Sequence, residues 1–169
     1  MKYVLIVVVV VGISATVAAA AATAASDASR GGPPCKQKVI KIQGHPAAVN
    51  CGPATATLHL GGKTYTFRNG LCEQSKSAGS KLSLDLGTTV IGVNGNAGHP
   101  HFSIDVVKNA PSGSVGADYG GKTLIDDALV TVAGKVPAGG TFKSKFSGPG
   151  FGPSFTGSWN CHGVVWRSS

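Results

Sequence analysis

Ala54-Thr-Ala-Thr-Leu-His-Leu60, Gly61-Gly62 and Lys63-Thr-Tyr-Thr-Phe-Arg68 form one continuous stretch, two alternating segments around a glycine pair. Apolar and polar residues alternate in both segments, which is the pattern of a β-strand with one face on a core and one face in water. A two-residue glycine turn joins such strands into a hairpin. The stretch therefore predicts an antiparallel hairpin, whose apolar face carries Ala54, Ala56, Leu58, Leu60, Tyr65 and Phe67.

The register of this hairpin makes a prediction about the four cysteines. Residues that face each other across the turn have numbers that sum to 123, and Cys51 and Cys72 have the same sum. Position 51 would be a non-hydrogen-bonded site, where facing side chains lie closest. We therefore expect a Cys51–Cys72 disulfide, which leaves Cys35 to pair with Cys161. A zinc site is the alternative use of four cysteines, but the chain contains no C-x-x-C pair.

The rest of the chain continues the pattern of short strands separated by Gly, Pro and Asn. A first strand is expected near 38–42, and Pro111–Gly121 is expected to be a loop. Ile125-Asp-Asp127 is a candidate turn inside an otherwise strand-like segment. Seven to nine strands of this kind predict an all-β chain, a single antiparallel β-sandwich or barrel-like domain stapled by two disulfides. The remaining expected strands cover 82–86 with an extension to 93, 102–106, 124–136, 142–146 and 155–161.

The N-terminus has the order of a signal peptide: Lys2, an aliphatic run over Val4–Val11, and an alanine-rich zone. We assign residues 1–25 to a signal cleaved near Ala22-Thr-Ala24, and residues 26–37 to a flexible leader. The β-domain then spans 38–163, and 164–169 form a tail. A retained membrane anchor is the alternative for the first segment. No cysteine directly follows the signal, so we predict no lipid anchor and a secreted or envelope-associated, extracytoplasmic protein.

The chain is basic, with a formal net charge of +8. Removal of the signal with Lys2 leaves a charge of +7, because Lys2 is its only ionised side chain. In an exported protein, a basic surface attracts cell-wall polymers or anionic lipid headgroups before nucleic acid. The alternative is that scattered lysines serve only solubility. Membrane association stays open.

Histidines are the leading candidates for site chemistry. His99-Pro-His101 places two imidazoles on one side of an extended segment, where a metal could bind both, completed by His162 or Asp105. The alternative is a turn that carries two exposed histidines. No cofactor is predicted.

Aromatic residues near the C-terminus offer a second candidate, a sugar-stacking platform of Trp159, Trp166, Phe151 and Phe155. At strand spacing, Phe155 and Trp159 fit a core better. Asp126-Asp127 would point to opposite faces of a strand, which is wrong for glycosidase chemistry. No G-x-S-x-G elbow or phosphate-binding loop occurs in the sequence, so no catalytic residues are assigned.

Several of these segments resemble the mycobacterial lipoprotein antigen family that includes LpqH. The resemblance lies in Val39-Ile-Lys-Ile-Gln-Gly44, Val49-Asn-Cys51, the Leu60-Gly-Gly62 turn and the terminal Gly157-Ser-Trp-Asn-Cys161. It covers roughly 38–163, although this chain lacks the lipidation cysteine and has four cysteines where the family has one pair. The resemblance implies an exported, non-enzymatic envelope antigen of an actinobacterium, whose surface meets a cell-wall polymer or a host surface component. It also implies a Cys51–Cys161 pairing that competes with the hairpin assignment.

The leading functional hypothesis is an exported, non-enzymatic cell-envelope or secreted antigen-like interaction protein. A secreted protease inhibitor is one alternative, and Ala110–Ala117 is its candidate inhibitory loop. A metal-binding module that uses His99 and His101 is the other.

Overall fold

The structure, a computed structural model, describes residues 35–75, 82–107, 112–135, 138–148 and 152–168. The predicted signal peptide and most of the predicted leader lie outside these ranges. Strands account for most of the described chain, as the alternating sequence predicts. The strands are β1 (Lys38–Ile42), β2 (His45–Val49), β3 (Ala54–Leu60), β4 (Lys63–Ser75), β5 (Leu82–Val90), β6 (His101–Val106), β7 (Ser112–Tyr119), β8 (Lys122–Ala133), β9 (Gly139–Ser144), β10 (Phe155–Asn160) and β11 (Val165–Ser168).

Strands β3 to β10 form a closed antiparallel barrel. Each strand pairs with the next along the chain, and β10 pairs with β3 to close the ring. The prediction of an all-β, antiparallel, barrel-like domain with two disulfides is therefore confirmed, and the barrel rather than the sandwich is found. Closure also removes the exposed edges that an open sheet of this kind would carry.

The hairpin predicted around Gly61-Gly62 is β3–β4. Its register is as predicted from Leu60↔Lys63 back to Ala56↔Phe67. The predicted apolar face points inward, with Ala54, Leu58 and Phe67 fully buried. The division of apolar and polar residues in the sequence therefore fixes which side of these strands meets the core.

Side chains fill the inside of the barrel. Phe67, Phe102 and Phe142 follow one another across the interior, with ring centroids 5.3 and 5.8 Å apart. Leu58, Leu84 and the other inward residues of each strand pack around them. Eight strands leave an interior just wide enough for such a filling. The interior is thus a packed core.

Three strands lie outside the barrel. The β1–β2 hairpin attaches to β5 through β2, and β11 runs parallel to the second half of β4. The sequence predicts β1 but not β2, because Pro46 and two alanines give that segment weak strand propensity. It also predicts a tail over 164–169, whereas Val165–Ser168 form β11.

The predicted Cys51–Cys72 disulfide is wrong, and so is the pairing of Cys35 with Cys161. The structure joins Cys72 to Cys161, with Cα atoms 5.7 Å apart. A bulge shifts the β3–β4 register between Ala54 and Ala56, so position 51 no longer faces position 72. Strand β3 begins at Ala54. Beyond that end, Cys72 of β4 is bonded to Cys161, the residue that follows β10.

The second disulfide joins Cys35 to Cys51, with Cα atoms 6.1 Å apart. Paired residues of the β1–β2 hairpin, such as Lys38 and Val49, sum to 87, and the two cysteines sum to 86. The bridge therefore closes the open end of that hairpin. The Cys51–Cys161 pairing that the family resemblance implies is not formed either.

Two further expectations fail in the segment that follows β6. Pro111–Gly121 is not a loop, since Ser112–Tyr119 form β7 and Val115 is fully buried. Ile125-Asp-Asp127 does not end a strand but makes a bulge within β8, where Asp127 has φ 43°. The polar and glycine residues of the first segment occupy outward-facing positions of strand β7. The two aspartates of the second segment belong to a bulge in β8.

Candidate functional site

The acidic residues that the structure describes are confined to five consecutive strands of the barrel. All the aspartates and glutamates that the structure describes lie on the consecutive strands β4 to β8, on outward or half-exposed positions. We call this surface the acidic face: Glu73, Asp85, Asp105, Asp118, Asp126 and Asp127. The six residues occupy one continuous stretch of 55 positions, and the sequential pairing of β4 to β8 sets their strands side by side.

The opposite side of the barrel carries hydroxyl groups, one lysine and one histidine. Ladder pairing places Thr66, Thr57, Ser158 and Thr141 in one row across four strands. A second row lies next to it: Thr64, His59, Thr156, Lys143 and Thr131. We call these two rows the threonine face. Adjacent strands are about 4.8 Å apart, so the rows form a regular array of donors and acceptors.

A shallow depression of about 490 Å³ lies on the threonine face. Its outward lining includes His59, Lys143, Thr156 and Ser158. Gly157 lies at its base, where a Cβ would overlap the ring of Phe142. The depression thus combines hydroxyls with cationic or neutral nitrogen groups, which suits a ligand rich in oxygen acceptors.

Two imidazole–hydroxyl pairs lie on or beside this face. His59 Nδ1 is 2.9 Å from Thr64 Oγ1, and His162 Nε2 is 3.1 Å from Thr55 Oγ1. A nucleophile and its base need this distance, but the base must also be held by a third group. The acidic residues of the described chain all lie on β4 to β8, on the other side. Both pairs therefore fit surface hydrogen bonds better than an activated hydroxyl.

His101 lies in the acidic face between two carboxylates. Its Nδ1 is 3.5 Å from Asp118 Oδ2, and its Nε2 is 3.7 Å from Asp85 Oδ1. Thr123 Oγ1 donates a hydrogen bond of 2.7 Å to Asp118, which orients that carboxylate. His101 Nε2 is buried without a hydrogen-bond partner. The imidazole is therefore bracketed by negative charge.

The metal ligands suggested by the sequence are not brought together. His162 lies with Thr55 at the edge of the threonine face, and Asp105 accepts a 2.6 Å hydrogen bond from Ser83 Oγ. His99 follows a short 3₁₀ turn, and its carbonyl accepts a hydrogen bond from Asn96. Within the part of the chain that the structure describes, no group of three His, Cys, Asp or Glu side chains is arranged to hold a metal ion.

The adjacent carboxylates Asp126 and Asp127 do not point to opposite faces as predicted. Both are exposed, and both line a depression of about 440 Å³ beside His101 and Asp118. The bulge in β8 breaks the alternation of side chains at this point. The bulge therefore places both carboxylates, and not only one of them, on the acidic face.

The predicted aromatic platform is divided by the fold. Phe155 and Trp159 belong to the core, with 5% and 3% of their surface exposed. Phe151 lies outside the described residues. Trp166 is half-buried on β11 and faces a cleft beside the N-terminal hairpin. Of the platform residues that the structure describes, only Trp166 is placed where it can contact a ligand.

This cleft lies between the β1–β2 hairpin and the outer surface of β4, β5 and β11, and we call it the hairpin cleft. The Cys35–Cys51 disulfide forms one wall, and the other lining residues are Gln37, Asn50, Leu71, Glu73, Asp85 and Trp166. Sequence reasoning missed it, because it exists only where the unpredicted strands β2 and β11 meet the barrel. Within the sequence, the Val49-Asn-Cys51 segment is the only quoted motif that contributes residues to this cleft.

The candidate inhibitory loop, Ala110–Ala117, is not available as a loop. Residues 112–117 lie within β7, paired on both sides by β6 and β8. Residues 110 and 111 lie outside the described ranges. The segment is therefore a barrel strand from Ser112 onward.

Comparison of the chain with protein-family models, with curated proteins and with solved structures finds no match. The resemblance to the mycobacterial lipoprotein antigen family therefore stays a prediction. Over the described ranges, no helix is long and apolar enough to cross a membrane.

Proposed function

We propose that this chain is an exported, non-enzymatic interaction protein that binds an anionic polymer of the cell envelope through its threonine face. The observation that carries the proposal is that the described acids are absent from the side of the barrel that carries the threonine face. All described acids lie on β4 to β8, and the array of hydroxyls, His59 and Lys143 lies on the other side. Such a face attracts phosphate, sulfate or carboxylate groups without repulsion from nearby acids.

The filled barrel supports an outer binding surface. Phe67, Phe102 and Phe142 occupy the interior, where a ligand carrier of this architecture would hold its ligand. A ligand of this protein is therefore bound by side chains on the outer surface of the barrel. A repeating polymer fits a repeating array, since each sugar or phosphate unit can meet an equivalent set of hydroxyl groups.

The extracytoplasmic setting is supported by two disulfides and by the signal-like N-terminus. Disulfides persist in oxidising compartments and are rare in the cytosol. The resemblance to an exported lipoprotein antigen family implies the same setting.

The test is retention of the purified protein on immobilised polymers of defined charge. Poly(glycerol phosphate) and polygalacturonate are the anionic probes, and dextran is the neutral one. We expect binding to an anionic polymer that weakens as salt rises from roughly 50 to 500 mM, because exposed charges are screened. Lys143→Glu should weaken it about fivefold, and Lys41→Glu, an equal charge change on β1, should have less than about a twofold effect.

Two results would overturn the proposal. One is equal binding to dextran and to the anionic polymers, or binding to none of them. The other is an equal loss for Lys41→Glu and Lys143→Glu, which would trace the attraction to net charge and not to the threonine face.

A further inference from the structure

The hairpin cleft is separate from the threonine face. It uses the second half of β4 together with β5 and β11, whereas the threonine face uses the first half of β4 and the strands on its other side. The cleft has a volume of about 230 Å³. This is below the roughly 300–1,000 Å³ of pockets that enclose drug-sized ligands. The cleft therefore has room for one ring-sized group, with the remainder of a longer ligand outside.

Asn50 supplies a buried polar group that lacks a partner. The residue lines the cleft with 8% of its surface exposed, and its Nδ2 makes no hydrogen bond. Its other amide atom is satisfied, since Gln37 Nε2 donates a 2.7 Å hydrogen bond to Asn50 Oδ1. A buried amide hydrogen without an acceptor is unfavourable. A ligand oxygen at this point would remove the penalty.

The missing partner is best supplied by a hydroxyl group. Exchanging nitrogen and oxygen in both amides would keep the contact with Gln37 and leave an Asn50 acceptor unpaired instead. A hydroxyl both donates and accepts, so it satisfies Asn50 in either orientation. The unpaired nitrogen is buried, so a ligand reaches it only after a side chain beside it moves. Gln37, an exposed residue bonded to the same amide, lines the cleft next to it.

Two carboxylates provide acceptors for further hydroxyls. Strand pairing places Leu71 beside Asp85 on the outer surface, and Glu73 lies two residues along β4 from Leu71. Diagonal neighbours of this kind are about 7–8 Å apart. The described residues that line the cleft include no lysine or arginine. A simple ammonium ion would be attracted here, but it offers no acceptor to the unpaired amide nitrogen of Asn50.

Trp166 supplies an apolar surface next to these acceptors. Its partner in the β11–β4 ladder is Glu73, so the two side chains project from the same side of the sheet. The indole is half-buried and reaches the cleft. An aromatic plane beside hydrogen-bonding groups suits a ring with an apolar C–H face and polar edges.

From this arrangement we propose that the hairpin cleft binds one pyranose unit of a carbohydrate. The hydroxyls of the unit bond to Asn50, Glu73 and Asp85, and its C–H face stacks on Trp166. The inference does not depend on the anionic polymer proposed above, because the two sites share no residue.

The experiment titrates the purified, ¹⁵N-labelled protein with single sugars and follows amide shifts and tryptophan fluorescence. The probes are glucose, galactose, mannose, N-acetylglucosamine and glucosamine, with methylammonium as the cation control. The chain has two tryptophans, and Trp159 is in the core, so a fluorescence change reports on Trp166. We expect shifts around Asn50 and Glu73 and a dissociation constant of roughly 1–5 mM, as for a ligand of about a dozen atoms.

Variants locate the binding. Trp166→Ala should weaken it at least about tenfold, and Trp166→Phe, which keeps an aromatic ring on β11, should restore most of the affinity. Glu73→Gln should weaken it by about fivefold. Asp127→Asn, a matched loss of one carboxylate on β8, should leave it unchanged.

Three outcomes would overturn the proposal. The first is that no sugar shifts the cleft amides at roughly 50 mM, ten times the weakest expected dissociation constant. The second is that methylammonium binds as well as the sugars, which would make this a cation site. The third is sugar binding that Trp166→Ala and Glu73→Gln leave intact. If the protein binds sugar but is not retained on the polymers, only the proposed function is refuted. If it is retained on an anionic polymer but binds no sugar, only the proposal for the hairpin cleft is refuted.

Discussion

The two disulfides should contribute unequally to stability. Cys72 and Cys161 are 89 positions apart in the chain, and Cys35 and Cys51 are 16 apart. Cross-links restrict the unfolded chain more when the loop is longer, and the loop-entropy relation gives about 4.6 kcal/mol for the first bridge and about 3.1 kcal/mol for the second. Loop length alone therefore predicts a difference of about 1.5 kcal/mol in the free energy of unfolding.

Packing adds to this difference. Cys72 and Cys161 are fully buried, and Cys35 and Cys51 are only partly covered. Replacing the buried pair with alanine removes two sulfur atoms from the core and leaves space, at a cost of roughly 1–2 kcal/mol in total. We expect Cys72→Ala/Cys161→Ala to be less stable than Cys35→Ala/Cys51→Ala by roughly 3 kcal/mol.

Equilibrium unfolding in guanidinium chloride measures the difference. With a denaturant slope of about 4 kcal/mol per molar, the midpoints should differ by roughly 0.7 M. A variant without the Cys72–Cys161 bridge that is already unfolded in buffer also meets the expectation. Equal midpoints, or a lower midpoint for the Cys35/Cys51 variant, would refute the reasoning.

Peptide mapping without reduction checks the pairing itself, and a peptide that links Cys51 to Cys72 would contradict the fold described here.

Three other expectations concern the turn after β5, the base of the depression and the N-terminus. Asn96 accepts from the Val90 amide and donates to two backbone carbonyls, so Asn96→Ala should cost about 2–4 kcal/mol in thermal or chemical unfolding; a loss below about 0.5 kcal/mol would disprove this role. Gly157→Ala should destabilise by about 2 kcal/mol or more, because its Cβ would overlap the Phe142 ring and a backbone oxygen of β3, and an unchanged melting temperature would contradict that packing. Mass spectrometry of the exported protein should find a free N-terminus between residues 20 and 27, and an intact first residue or a lipid adduct would rule out this cleavage.

Local patterns predict most of the barrel wall. The alternation over Ala54–Leu60 and Lys63–Arg68 decides which side chains enter the core, and Phe102 and Phe155 follow the same rule. These predictions succeed because strand alternation depends only on neighbours in the chain. Strand β2 is not predicted, because Pro46 and its alanine neighbours have little strand propensity. The segment becomes a strand because it pairs with β5.

The disulfide pairing shows where counting from one turn fails. The register holds from Leu60 to Ala56 and is then shifted by a bulge, so Cys51 leaves the ladder before it can face Cys72. The same counting applied to the β1–β2 hairpin would have placed Cys35 near Cys51. Choosing between the two hairpins requires knowing that β2 is a strand at all.

The sequence by itself determined that this is an all-β chain, which residues of each strand face the core, and the basic character of the surface. Those properties follow from composition and from alternation between adjacent residues. Only the tertiary structure decided the disulfide pairing, the separation of acids from the threonine face, and the hairpin cleft that Asn50 and Trp166 both line. Each of these joins residues from distant parts of the chain, and their positions depend on barrel closure, one bulge and the docking of β2 and β11.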